Sequence, residues 1–200
     1  MKGREKDNRT DRRVERIRQV LARRQKDLTL VLANIHDPHN VSAILRSCDA
    51  FGVFGVHLYY TTEKYPALGK KSSASAKKWV EAWRHDDPEE LMGGLKARGF
   101  QVLSTGFDEG ALPLNEVNFT VPTAVVLGNE HRGVDPELES KVTGQVYIPM
   151  QGMVQSFNVS VAAAILLYEA WRQRKQAGML DFPDFGEAEL EDLLHEWCER

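Results

Sequence analysis

Apolar and polar positions along the chain repeat with two periods, and the switches between them mark out its elements. In residues 10–25, Val14, Ile17, Val20 and Leu21 recur at three- and four-residue spacing beside an Arg-rich face. That pattern predicts an amphipathic helix. LTLVLA (28–33) is a short, unbroken apolar run and reads as a buried strand. NIHDPHN (34–40) carries the Asp-Pro and Asn residues of a turn. Val41, Ile44, Leu45 and Cys48 then mark a helix stopped near Gly52, and Val53 to Tyr60 reads as the next strand. A second cycle opens at Asp87-Pro88-Glu89-Glu90, with a cap, a first-turn proline and acids at the positive end of the helix dipole. Gly99 is the expected stop. FQVLST (100–105), TAVVLG (123–128) and QVYIP (145–149) read as strands. Pro136 opens a short helix, and Val159 to Lys175 forms a long one with an apolar half and a basic end. After Gly178, Pro183 and Gly186 precede an acidic amphipathic segment, 187–199. Strands alternating with helices predict an α/β fold with a mostly parallel sheet.

Composition narrows the class. Two hundred residues suit one domain with short appendages. The longest apolar run, Val161 to Tyr168, is too short for a bilayer, which needs about 20 residues. The first 20 residues are polar and charged, unlike a secretory signal. Two cysteines, Cys48 and Cys198, exclude a disulfide scaffold and a four-cysteine zinc site. The expectation is a soluble cytoplasmic protein with no membrane partner.

Charge is more informative where it clusters. The net charge is only −3. Residues 1–26 nevertheless hold eleven Lys/Arg against four acids, a net +7, while residues 179–200 hold eight acids against one Arg, a net −7. A basic arm on an acidic body suits a polyanion, with nucleic acid first, although a solvated basic helix would look the same. The expected division is a basic helical arm (1–27), a central domain (28–178) and an acidic tail (179–200).

Ligands of open α/β sheets gather at the carboxyl ends of strands, where three polar loops are expected: NIHDPHN, GNEHRG and PMQGMVQSFN. Common phosphate signatures fail. Gly128 to Gly133 lacks the middle glycine of the dinucleotide fingerprint, and in Gly69-Lys70-Lys71 the last residue stands where a P-loop needs Ser or Thr. His36 and His39 flank Pro38, which argues against a helical metal face. The first loop offers the spacing Asn34-x5-Asn40-x5-Arg46, with Asn40 in a capping position and Arg46 on the helix beyond it. The second packs Glu130, His131 and Arg132 between glycines, and the third places Ser156 and Asn158 ahead of the long helix.

Three motifs in order, NIHDPHNVSAILRSCDAFGV, VVLGNEHRGV and IPMQGMVQSFNVSVAAAILLYEA, resemble the SpoU class of RNA 2′-O-ribose methyltransferases, within the knotted SPOUT superfamily. The resemblance spans residues 10 to 178. It is strongest to the TrmH branch, the tRNA guanosine-2′-O-methyltransferases, through H-x-P-H-N, Lys78-Trp79 and the RQR-x-x-AG ending at 172–178. Asp37 is a departure, standing where such loops carry a basic residue. The resemblance implies a deep C-terminal trefoil knot, a homodimer, and S-adenosylmethionine held in a bent form. It places cofactor contacts on Thr105, Leu127, Gly128, Ile148, Met150 and Phe157, and the catalytic set on Arg46, Asn40, Glu130, Ser156 and Asn158. Arg46 would be either the base or a cation that stabilises the developing alkoxide. Arg12, Arg13, Arg16, Arg23 and Arg24 would contact tRNA phosphates, and the target would be the D-loop guanosine at position 18. A sister activity on another tRNA site or on ribosomal RNA, and a knotted RNA-binding protein without catalysis, are the alternatives. Many ribosomal sisters carry a separate N-terminal domain, and only 27 residues precede the first strand here.

Overall fold

The computed structural model describes residues 2–66 and 76–200, so Gly69-Lys70-Lys71 lies outside the described residues. Among the described residues, seven parallel strands form one sheet in the order β3-β2-β1-β6-β4-β7-β5. They are β1 (Leu28–Ala33), β2 (Gly55–Tyr59), β3 (Glu81–His85), β4 (Gln101–Thr105), β5 (Leu112–Pro113), β6 (Thr123–Leu127) and β7 (Gly144–Tyr147). Helices α1 (Lys2–Leu21), α2 (Pro38–Ala50), α3 (Ala76–Trp79), α4 (Pro88–Ala97), α5 (Pro136–Glu139), α6 (Val159–Gln176) and α7 (Glu187–Cys198) surround it. The α/β class and parallel sheet follow the sequence expectation.

Strand periodicity divides the core. Leu28, Leu30 and Leu32 of β1, with Val56, Leu58, Val125 and Leu127, face α2 and α6. Val31 and Ala33, with Tyr59, Val102, Ala124 and Val126, face Leu91, Met92 and Leu95 of α4 and Leu138 of α5. Both faces are therefore covered, which is why the central strands read as continuous apolar runs. A third cluster joins Ile17 and Leu21 of α1 to Leu194 and Trp197 of α7. The basic arm and the acidic tail thus pack on each other, reinforced by the Arg18–Glu191 ion pair and by Lys26–Glu189 at 3.4 Å.

Helix boundaries follow local chemistry. Asp37 caps α2 by accepting from the His39 backbone N–H, ahead of Pro38. The residue that departs from the family pattern thus has a structural task, and Asn40, the expected cap, is free to point elsewhere. Asp87 caps α4 in the same way, and Gly99 stands at φ +81° beyond its end.

The arm differs from expectation at its C-terminal end. α1 stops at Leu21, not near residue 25, and the chain turns inward. Arg24, expected to contact phosphate, is consequently 1% exposed. Its guanidinium donates to the Asp49 and Val53 carbonyls at 3.1 and 3.3 Å and pairs with the Asp49 carboxylate. It stacks on Trp197, 5.4 Å from the ring centroid. A buried, paired guanidinium cannot reach RNA, so Arg24 leaves the phosphate-contact set and becomes a tie between arm and body. Arg12, Arg13, Arg16 and Arg23 are exposed.

Candidate active site

The three loops meet at the carboxyl ends of β1, β6 and β7. The second loop is the tightest. Asn129 and Gly133 exchange backbone hydrogen bonds of 2.8 and 2.9 Å, so the chain doubles back within five residues. A Cβ at Gly128 would lie 2.2 Å from the Gly133 carbonyl carbon and 2.3 Å from the Val134 nitrogen. Only glycine leaves room for the loop to fold over its own strand.

That fold delivers Glu130 to the first loop. Its carboxylate accepts from the backbone N–H of His36 (2.8 Å) and of Asp37 (3.2 Å), and from the Asn40 amide (2.7 Å). Asn158 then donates to the Asn40 Oδ1 at 3.1 Å, while its own Oδ1 caps α6 by accepting from the Ser160 backbone N–H at 2.9 Å. Glu130, Asn40 and Asn158, up to 118 residues apart in sequence, form one hydrogen-bonded chain linking all three loops. Burial acts to raise the pKa of Glu130. The Asn40 amide and the His36 N–H outweigh it and hold the carboxyl below the ordinary glutamate range. With its lone pairs engaged, this carboxylate is suited to fixing geometry rather than to accepting a proton.

Beside the chain opens a cavity of about 410 Å³. Its lining includes all six residues expected at the cofactor: Thr105, Leu127, Gly128, Ile148, Met150 and Phe157. Glu130, Ser156 and Asn158 also reach it. The walls are mostly apolar with a few polar groups among them, the usual pattern of a small-molecule site. Arg46 stands apart. It is exposed on α2, does not line the cavity, and makes no hydrogen bond or ion pair among the described residues. Among the described residues no group of three His, Cys, Asp or Glu is placed to hold a metal.

Asn129 escaped the sequence analysis, and Asn34 entered it only as the first member of the Asn34-x5-Asn40-x5-Arg46 spacing. Asn129, 4% exposed, donates to the Asn34 carbonyl at 2.7 Å and accepts from the His131 backbone N–H at 2.9 Å, bracing the second loop. Asn34 is fully buried at the end of β1.

The SpoU rRNA Methylase family model matches residues 27–168. The chain belongs to the SpoU methylase family. It is 46% identical over 192 residues to the tRNA (guanosine(18)-2′-O)-methyltransferase of Thermus thermophilus, covering 96% of this chain and 98% of that protein. The crystal structure of the A. aeolicus TrmH/SpoU tRNA modifying enzyme matches with a TM-score of 0.89 and 39% identity, covering 95% of this chain and 96% of that one. The SpoU methyltransferase AviRb from Streptomyces viridochromogenes, in complex with AdoMet, matches with a TM-score of 0.68 and 29% identity, covering 76% of this chain and 62% of that one. The matched residues 27–168 include all three loops that the hydrogen-bonded chain unites.

Proposed function

We propose that this protein transfers a methyl group from S-adenosylmethionine to the ribose 2′-oxygen of guanosine 18 in the tRNA D-loop. One observation carries the reading: the second and third family motifs line one cavity and hydrogen bonds from Glu130 and Asn158 hold the first motif beside it, in a chain aligned almost end to end with a tRNA (guanosine(18)-2′-O)-methyltransferase. The residues present fit the cofactor. The cavity volume falls within the range of about 300–1,000 Å³ typical of small-molecule sites. Leu127, Ile148 and Phe157 offer apolar walls for an adenine, and Gly128 and Gly133 line the cavity without a side chain. When bound, the sulfonium supplies an electrophilic methyl group.

The protein's task is then alignment and the handling of one proton. Glu130, Asn40 and Asn158 hold the three loops in register, and Ser156 faces the cavity beside them. Arg46 meets the RNA as a guanidinium, bracing a phosphate and stabilising charge on the attacking 2′-oxygen. A guanidinium is a poor proton acceptor, so the 2′-proton would leave to an RNA phosphate or to water as the oxygen–carbon bond forms and the methyl group's bond to sulfur breaks.

Three further features complete the proposal. The segment from β6 to α6 carries the C-terminal trefoil knot of the superfamily. Two copies pair through α6, where Val161 and Tyr168 are 45% and 53% exposed, and this pairing brings the isolated Arg46 into a complete site. Arg12, Arg13, Arg16 and Arg23 of the 1–27 arm contact tRNA phosphates, the 28–178 domain performs the chemistry, and the 179–200 tail holds the arm. The protein works in the cytoplasm on tRNA; among the described residues no helix is long and apolar enough to cross a membrane.

The test is methylation of an unmodified tRNA transcript with labelled S-adenosylmethionine, followed by mapping of the product. The expected product is 2′-O-methylguanosine at position 18. Methylation confined to ribosomal RNA fragments, or cofactor binding without transfer to any RNA, would overturn the assignment.

A further inference from the structure

Asn34 has a combination of properties that strand-end asparagines seldom share. It is fully buried, and it is the one non-glycine residue in the left-handed region among the described residues, at φ +50°. Asparagine and aspartate tolerate that region better than other side chains. Its Oδ1 accepts from three successive backbone N–H groups, Thr61 at 2.9 Å, Thr62 at 3.1 Å and Glu63 at 3.2 Å. Its Nδ2 donates to the Asp135 carboxylate at 2.6 Å. Its backbone N–H donates to the Tyr59 carbonyl at 2.8 Å, and its carbonyl accepts from Asn129. Three chain segments are gathered at one residue: the loop after β2, the loop after β6, and the start of the 34–40 loop itself.

The side-chain chemistry is specific. A carboxamide accepts at one end and donates at the other. Aspartate could serve the three N–H groups but would set a carboxylate against Asp135. Glycine would suit the backbone and serve neither partner. The bonds lead directly to the site. Asn129, fastened to the Asn34 carbonyl, orders His131 and Arg132 by accepting from both backbone N–H groups, and between them and the strand lies Glu130. Glu130 in turn fixes Asn40 and, through it, Asn158.

We propose that Asn34 is a positioning residue for methyl transfer: by tying the loops after β1, β2 and β6 together, it sets the place of Glu130 and hence of the Asn40–Asn158 pair. The inference rests on the methyltransferase reading above, and wild-type turnover on tRNA checks that reading first.

A reciprocal exchange tests the inference. In Asn34→Asp the donor facing Asp135 is lost and two carboxylates meet. In the Asn34→Asp/Asp135→Asn double variant the donor sits on the other partner, and the bonds to Thr61, Thr62 and Glu63 N–H and to residue 135 can re-form. Single-turnover methylation at saturating cofactor and tRNA, cofactor Kd by calorimetry, and melting temperature are measured well below each melting point. A displacement of about 1 Å can cost roughly 100-fold in rate. The expected result is a loss of that order in Asn34→Asp, with cofactor Kd raised severalfold, and recovery to within about fivefold of wild type in the double variant. A purely structural residue would lower the melting temperature while leaving the rate of the folded protein unchanged. If Asn34→Asp is too unstable to assay, Asp135→Ala removes one acceptor only and should lower the rate about tenfold. Unchanged rates in the folded single variants, or a double variant no faster than Asn34→Asp, overturn the proposal. An inactive wild type instead indicts the functional reading.

Discussion

Replacing Arg174 should destabilise the whole molecule. The side chain is 1% exposed. Its Nε donates to the Phe119 carbonyl at 2.8 Å, and its Nη2 donates to the Asp27 and Val121 carbonyls, both at 3.2 Å. Its Nη1 donates to Gln25 at 3.2 Å and pairs with the Asp27 carboxylate. One guanidinium thus pins the end of α6 to the segment entering β1 and to the segment entering β6. Breaking a buried pair by removing one partner costs about 3–5 kcal/mol. The Asp27 side chain is 28% exposed and regains some hydration, which favours the lower end, about 3 kcal/mol. For a chain of this size that is a fall in melting temperature of roughly 6–12 °C. Arg174→Lys keeps the charge but not the planar fork and should lose about half as much. Thermal melts of both variants at low and high salt provide the assay. Because the pair is buried, the loss should persist in salt that screens surface charges. A drop below about 2 °C for Arg174→Ala, or one abolished by salt, would refute this structural role.

Arg46→Lys should abolish single-turnover methylation while cofactor affinity stays nearly unchanged, because Arg46 lies outside the cavity lining; near-wild-type transfer by the lysine variant would remove its proposed role. Neutralising Arg12 and Arg13 together should weaken tRNA binding and flatten its salt dependence by about one unit of slope per lost contact, with melting temperature unaffected. Unaltered binding at low salt would make the arm structural only. Stability should fall on mild acidification, because His57, whose Nδ1 is 2.9 Å from the Nε2 of His85, is pushed down to about 4 by burial first and then by His85 and Arg98. The unfolded chain takes up this proton near pH 6.5 and the folded one only near 4, so up to about 3 kcal/mol is lost as pH falls through that window. Denaturant midpoints measured from pH 7 to 4.5 should slope downward for wild type and less for His57→Phe; equal slopes would count against the buried neutral pair.

The elements that were legible in the sequence are those whose burial is uniform. β1 and β6 lie between two helical layers, so every residue is buried and the apolar run is unbroken. β3 escaped because it is the sheet edge: Ala82, Trp83 and Arg84 are exposed, and EAWRH carries no apolar period to detect. β5 is only two residues long. The Lys78-Trp79 pair was visible only as a likeness, and its physical task is packing: Trp79 stacks on Trp197 with ring centroids 5.3 Å apart, and Lys78 donates to the Arg200 carbonyl.

The arginines show most clearly what charge patterning can and cannot convey. Arg23 and Arg24 are adjacent in one basic run, and nothing local distinguishes them. The distinction arises from the turn after Leu21, where Arg23 N–H reaches the Val20 carbonyl and Arg24 N–H the Leu21 carbonyl. Gly52 permits it, standing at φ +76° with its Cβ position only 2.6 Å from the Arg23 carbonyl oxygen. A side chain there would push the turn away and expose Arg24. A glycine 28 residues downstream therefore determines whether Arg24 is an RNA contact or a structural tie. The site obeys the same logic. Asn40, Glu130 and Asn158 are individually ordinary polar loop residues, and each has a local explanation as a cap or a turn. Their common function exists only where three strand ends converge, so it could be anticipated from a likeness between whole motifs but not from the spacing within any one of them.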